Sequence, residues 1–124
     1  DLRPTLVLDL DLPLADLGYP TVEALARLEP FGHGNPEPLI LLRDVAAKWP
    51  KTSFDGKHLF FTAAGQAGTP VRAPIRCVAF GQGARKAEVQ RPPTGRIDVV
   101  GTLRREWWQG EERLSFHVRD FRSA

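Results

Sequence analysis

Arginine and aromatic side chains are interleaved through the second half of this sequence in a pattern suited to gripping an anionic chain of flat rings. Arg104-Arg105-Glu106-Trp107-Trp108 sets two guanidinium groups beside two indoles. Lys57, His58, Phe60 and Phe61 follow an Asp55-Gly56 turn signal, and Arg72 with Arg76, and Arg113 with Arg119, stand at even spacings. On a strand, even spacing puts each pair on one face. Guanidinium groups make forked contacts with phosphate and stack on flat rings. A base stacked on an aromatic side chain contributes about 1–3 kcal/mol. Arginines spaced along a groove suit tracking a backbone rather than reading base edges. The competing interpretation is an ordinary solvated strand face.

Catalytic chemistry is poorly represented. His33, His58 and His117 are scattered, and none pairs with a cysteine or histidine at metal-ligand spacing. Asp9 and Asp11 have no oxygen-rich loop around them. Gly81-Gln82-Gly83 begins like a phosphate-cradling loop but lacks the third glycine and the βαβ context, so a tight turn is the better interpretation. No serine or cysteine has a nucleophile's setting. The expectation is no catalytic residue, no metal site and no cofactor in this chain.

Strands and turns must position these groups. Leu39–Trp49, Lys57–Ala64, Pro70–Phe80, Arg96–Trp107 and Glu112–Phe121 are five candidate strands. Asp55-Gly56 and Gln109-Gly110 are hairpin turn signals, and Ala84–Val89 can form a short helix in the longer connector after the third strand. In the last strand Leu114, Phe116 and Val118 point one way, and Arg113, Ser115, His117 and Arg119 the other. Alternation sends Trp107 and Trp108 to opposite sides, so at most one fills a core; both could instead be lids on the barrel end. Phe60 and Phe61 divide in the same way. Ahead of the strands, Thr5–Leu10 reads as an edge strand. A two-turn helix runs from Thr21 as N-cap through Val22, Leu25 and Leu28.

The predicted class is therefore mainly β, a five-stranded OB-fold barrel preceded by a short strand and helix. An SH3-like barrel is the rival, and the insertion after the third strand favours the OB arrangement. In such a barrel the loops between strands one and two and between strands four and five flank the oligonucleotide groove. Residues 1–38 form an acidic lead-in and connector, and residues 39–124 the barrel. The lead-in holds seven acids and two bases, net −5, whereas the barrel holds fifteen bases and eight acids, net +7. Most of those bases are arginine, and a basic body invites a polyanion.

With 42% hydrophobic and 26% charged residues, the chain has the composition of a globular protein. No apolar run reaches the ~18–20 residues of a membrane span, and no secretory leader is visible. A lone Cys77 in an apolar stretch permits no internal disulfide and fits a reducing, cytoplasmic setting. The start at Asp1, in mid-strand pattern and without methionine, suggests a piece of something longer.

Leu28–Pro38 reads Leu-Glu-Pro-Phe-Gly-His-Gly-Asn-Pro-Glu-Pro, which no helix or central strand can traverse. Leu28, Pro30–Gly32 and Gly34–Pro38 resemble the "L-x-P-F-G-x-G-N-P-E-P" signature of the RecJ family of single-strand-specific DNA exonucleases. Asp55-Gly56-Lys57-His58-Leu59, Ala79-Phe80-Gly81-Gln82-Gly83, Trp108-Gln109-Gly110 and Arg119-Asp120 resemble further stretches of that family, in the same order, and Asp9–Leu12 resembles its strand leading into the signature. The resemblance implies a C-terminal OB domain that grips single-stranded DNA for upstream catalytic domains. It also implies that the Mn or Mg of the parent exonuclease, which acts from the 5′ end in repair and recombination, is held in those domains. Implied partners are single-stranded DNA, the upstream domains and another single-strand-binding or repair protein, with no membrane. The candidate nucleic-acid contacts are Lys57, His58, Phe60, Arg72, Arg76, Arg104, Trp107, Trp108, Arg113 and Arg119. A protein-docking module and a purely structural barrel are the alternatives.

Overall fold

A long strand, β2 (Ile40–Thr52), is the element around which the others are arranged. In this computed structural model residues 10–32, 34, 37–66, 74–90 and 95–124 are described. The other strands are β1 (Leu10–Asp11), β3 (Leu59–Gln66), β4 (Ile75–Ala79), β5 (Ile97–Trp108) and β6 (Glu111–Ser123). The helices are α1 (Tyr19–Ala26) and α2 (Lys86–Gln90), with 3₁₀ turns at Leu14–Asp16 and Gly83–Arg85. β2 pairs antiparallel with β3 on one side and with β5 on the other. The order β2-β3-β4-β6-β5 returns to β2 and so closes a barrel, with β4 and β6 parallel. A closed sheet has no free edge to template aggregation. With α2 between its third and fourth strands this is the OB fold, as expected.

β2 spans from β5 to β3 because it bends twice, and its first residues also pair in parallel with β1, Leu10 with Ile40 and Asp11 with Leu41. Asp44 and Trp49 adopt left-handed φ of 55° and 54°, each at a shift in register. Asp44 is held there by its amide, which donates to Asp98 Oδ1 at 2.9 Å. Gln109 and Gly110 both have positive φ, the two-residue turn that matches strand twist, and it joins β5 to β6 as the sequence predicts.

The interior is filled from alternate positions of every barrel strand: Ile40, Leu42, Leu59, Phe61, Cys77, Ile97, Val99, Phe116 and Phe121. Burial pushes the Cys77 thiol up to about 12, so it behaves as a small apolar side chain. Leu14 and Leu17 of the lead-in belong to the same buried cluster, and Val22 and Leu25 of α1 pack against it. This packing supplies what a helix of eight residues cannot supply for itself.

Three details differ from the sequence-based picture. The N-cap of α1 is Gly18, and Thr21 is the third helical residue, its hydroxyl accepting from Gly18 N at 3.3 Å and donating to Asp16 O at 2.5 Å. Leu28 lies beyond the helix and is half exposed. Ser115, expected on a solvated face, is fully buried. Of the predicted lead-in strand and third barrel strand, residues 5–9 and 70–73 lie outside the described residues, as do His33, Asn35 and Pro36.

Candidate nucleic-acid interface

The outer face of β3, β4, β6 and β5 brings together residues far apart in sequence through register alone. Thr62 pairs with Arg76, Arg76 with Ser115 and Ser115 with Arg104. One row along, Phe60 pairs with Val78, Val78 with His117 and His117 with Thr102; on the other side Arg113 pairs with Glu106. Alternation turns Phe61, Cys77 and Phe116 into the core and leaves this set facing out.

Two arginine–aromatic pairs flank the face. The Arg76 guanidinium lies over the Phe60 ring at 5.1 Å, and that of Arg113 over the Trp108 ring at 4.8 Å. Between them sits Glu106, whose Oε2 is 3.0 Å from His117 Nε2 and whose Oε1 is 3.5 Å from Arg76 Nη1 and 4.0 Å from Arg113 Nε. Burial works to raise the Glu106 carboxyl. The hydrogen bond and charge of His117, the nearby Ser115 hydroxyl and the charge of Arg76 outweigh it, holding the group below its ordinary range. Burial and repulsion from Arg113 draw Arg76 down, against the pull of Glu106. Beside the Phe60 pair a shallow groove is lined by Trp49, Lys51, Thr62 and Arg76.

The predicted contacts divide between several settings. Phe60 is the half-buried ring of its pair and Phe61 the core ring, as alternation requires. Phe60, Arg76, Arg113 and Trp108 come together on the outer face. Arg119 occupies the register shift at which Val118 pairs with Gly101 and Asp120 with Val100. It lines a second groove with Phe80, Gln82, Thr102, Arg104 and His117. Arg104 faces the same way, but both its terminal nitrogens are bound by the Glu37 carboxylate of the connector, one of them at 2.6 Å. That contact raises the guanidinium further. Arg72 lies outside the described residues.

Neither tryptophan fills the core, an outcome that the expectation of at most one left open. Trp107 is 72% exposed and Trp108 52%. They pair with Glu112 and Glu111 at the tip of the β5–β6 hairpin, which runs past the barrel. Trp107 shares its side of the strand with Arg105, which faces α1: the guanidinium lies 5.6 Å from the Tyr19 ring and 3.7 Å from Glu23.

Lys57 and His58 are tied into a junction between two of the recognised stretches. His58 Nδ1 accepts from Gly81 N at 2.9 Å, and Lys57 O accepts from Gly83 N at 2.9 Å. The His58 ring meets Phe80 edge-on at 5.4 Å, and Phe80 meets His117 at 5.2 Å. The Lys57 side chain remains exposed. Gly81-Gln82-Gly83 is thus a tight turn docked on the β2–β3 hairpin, with Gly81 at φ 73°.

The predicted contacts omit Trp49, Lys51, Phe80, Glu106, Ser115 and His117. For the last three alternation carried a usable signal, since it puts Glu106 on the face of Arg104 and Trp108, and Ser115 and His117 on the face of Arg113. Among the described residues no group of three or more His, Cys, Asp or Glu side chains is placed to hold a metal ion, and no helix is long and apolar enough to cross a membrane.

A family model described as the RecJ OB domain matches residues 8–120. The single-stranded-DNA-specific exonuclease RecJ of Thermus thermophilus is 33% identical over 120 residues, which are 97% of this chain and 16% of that protein. Crystal structures of RecJ from Thermus thermophilus in complex with Mn²⁺ and with Mg²⁺ each superpose with a TM-score of 0.60, at 32% and 31% identity. Each superposition covers 84% of this chain and 14% of the solved one. The chain thus spans about a sixth of the curated relative it matches.

Proposed function

This chain belongs to the RecJ OB-domain family, and from that premise we propose that it is the single-stranded-DNA-binding module of a RecJ-like exonuclease and performs no hydrolysis itself. One observation carries the reading: the Phe60–Arg76 and Trp108–Arg113 pairs share the outer face of the barrel. OB folds use this face, formed by the second and third barrel strands and the two flanking loops, to bind oligonucleotides. Rings of this kind stack on any base, and the adjoining guanidinium groups meet phosphates, so binding is largely sequence-neutral. The module holds the strand for metal-dependent catalytic domains upstream, in a cytoplasmic enzyme of DNA repair and recombination that degrades from the 5′ end. Its partners are those domains, the single strand and another single-strand-binding or repair protein.

A docking or purely structural role predicts a different result in the same experiment. The acids that would serve docking are partly engaged within the chain: Asp11 pairs with Arg43 at 2.7 Å, and Glu37 and Glu23 pair with Arg104 and Arg105. Titration of oligo-dT into the folded domain should quench tryptophan fluorescence. The log of affinity should fall linearly with log salt, with a slope of about −0.7 per phosphate neutralised. No response at low salt from a folded domain would reject the proposal. Nuclease activity with Mg²⁺ or Mn²⁺ that persists through purification would reject its non-catalytic part.

A further inference from the structure

The centre of the outer face has more hydrogen-bond donors than acceptors. Ser115 Oγ and Arg113 Nε are buried polar atoms with no hydrogen-bond partner, the two side-chain atoms of that kind among the described residues. Buried polar groups ordinarily find partners. Both atoms lie at the same place, since Ser115 pairs with Arg76 on one side and Arg104 on the other, and Arg113 is two residues along β6. Glu106 is the carboxylate there. Its contacts to Arg76 and Arg113 are long, at 3.5 and 4.0 Å, whereas that to His117 is a good hydrogen bond at 3.0 Å. The Ser115 hydroxyl is near enough to help hold the Glu106 carboxyl down, yet it makes no hydrogen bond of normal geometry. The Glu106 side chain is 28% exposed, so it has a route outward to water.

We propose that Arg76, Arg113, His117 and Ser115 form a subsite for one phosphodiester group of the bound strand, with Glu106 as an internal anion that the phosphate displaces. The inference rests on the single-strand-binding function proposed above and adds to it a position and a competitor. A phosphodiester offers two non-bridging oxygens, as Glu106 does, but it is not tethered to β5. It can therefore settle between the two guanidinium groups and the Ser115 hydroxyl at distances that the Glu106 carboxylate does not reach. Glu106 meanwhile keeps the two like-charged arginines from repelling each other in the free protein. That role reduces affinity for any anion, because each binding event must first release the carboxylate.

Glu106→Gln keeps the shape and removes the charge. It should tighten oligo-dT binding about fivefold at low salt and steepen the salt dependence, with the thermal midpoint confirming the fold. Equal or weaker binding by a folded Glu106→Gln domain, when the parent domain binds dT, would overturn the subsite, since Glu106 would then only orient the arginines. Inorganic phosphate supplies an independent probe through the NMR signals of the arginine Nε–H groups. Shifts at Arg113 and Arg76 that grow in Glu106→Gln support the subsite even if dT does not bind, in which case the single-strand reading alone falls. Absence of any such shift would overturn it.

Discussion

Gly83→Ala should lower the thermal midpoint of the domain by ~10 °C, corresponding to about 3 kcal/mol of lost stability. A Cβ at this position would stand 2.0 Å from Gly56 O, 2.8 Å from Gly56 C and 2.9 Å from Lys57 C. All three are backbone atoms of the β2–β3 hairpin, so no side chain can swing aside to make room. The turn would have to withdraw, breaking the bond from Gly83 N to Lys57 O and the bond from Gly81 N to His58 Nδ1. Phe80, which stacks edge-on with both His58 and His117, would move with it. Thermal denaturation followed by circular dichroism measures the effect, and a midpoint within about 2 °C of the parent would show that the junction is not a tight contact.

Trp108→Ala should weaken oligo-dT binding by roughly 5- to 150-fold, the equivalent of losing one stacked base at about 1–3 kcal/mol. Its ring is half exposed, contributes nothing to the buried cluster and carries the Arg113 guanidinium. The thermal midpoint should therefore scarcely change. Trp107→Ala is the internal control, because Trp107 projects from the opposite side of β5, toward the face shared with Arg105 and α1. It should leave dT affinity within about twofold of the parent. Equal losses in the two variants would mean that the hairpin tip, rather than the arginine-bearing face, meets the strand.

Much of the fold was legible because strands and tight turns leave local marks. Alternation across Leu114–Val118 and the Asp55-Gly56 and Gln109-Gly110 turns place the strands to within a few residues, and Ala84–Val89 marks the helix that distinguishes an OB barrel. The start of α1 was less clear, since Thr21 is as good a cap by type as Gly18. The local path of the chain decides between them: the Thr21 hydroxyl turns back to donate to Asp16 O and to accept from Gly18 N, which makes Thr21 the third helical residue.

The candidate site was only half legible, because alternation assigns a face but not a partner. It separated Phe60 from Phe61 and Trp107 from Trp108 correctly. It offered no warning that Arg104 would be bound by Glu37, 67 positions earlier. Nor could it show that Ser115 would be covered, because the residues around it come from β4 and β5. The exposure of both tryptophans follows from the β5–β6 hairpin extending beyond the barrel, and a period of two does not report where a barrel ends. The lead-in illustrates the same point: its charge marks it as distinct from the barrel, yet Leu14 and Leu17 sit in the barrel's own core.

The central claim is that single-stranded DNA lies across the outer face of β3, β4 and β6. Its most direct test is an amide and side-chain NMR map of the folded domain titrated with oligo-dT at low salt. The account predicts that the perturbed signals centre on Phe60, Arg76, Arg113, Ser115 and the Trp108 indole N–H, with the Trp107 indole and α1 largely unmoved. Perturbations confined to α1, Arg105 and Trp107, or none in a folded domain, would contradict it.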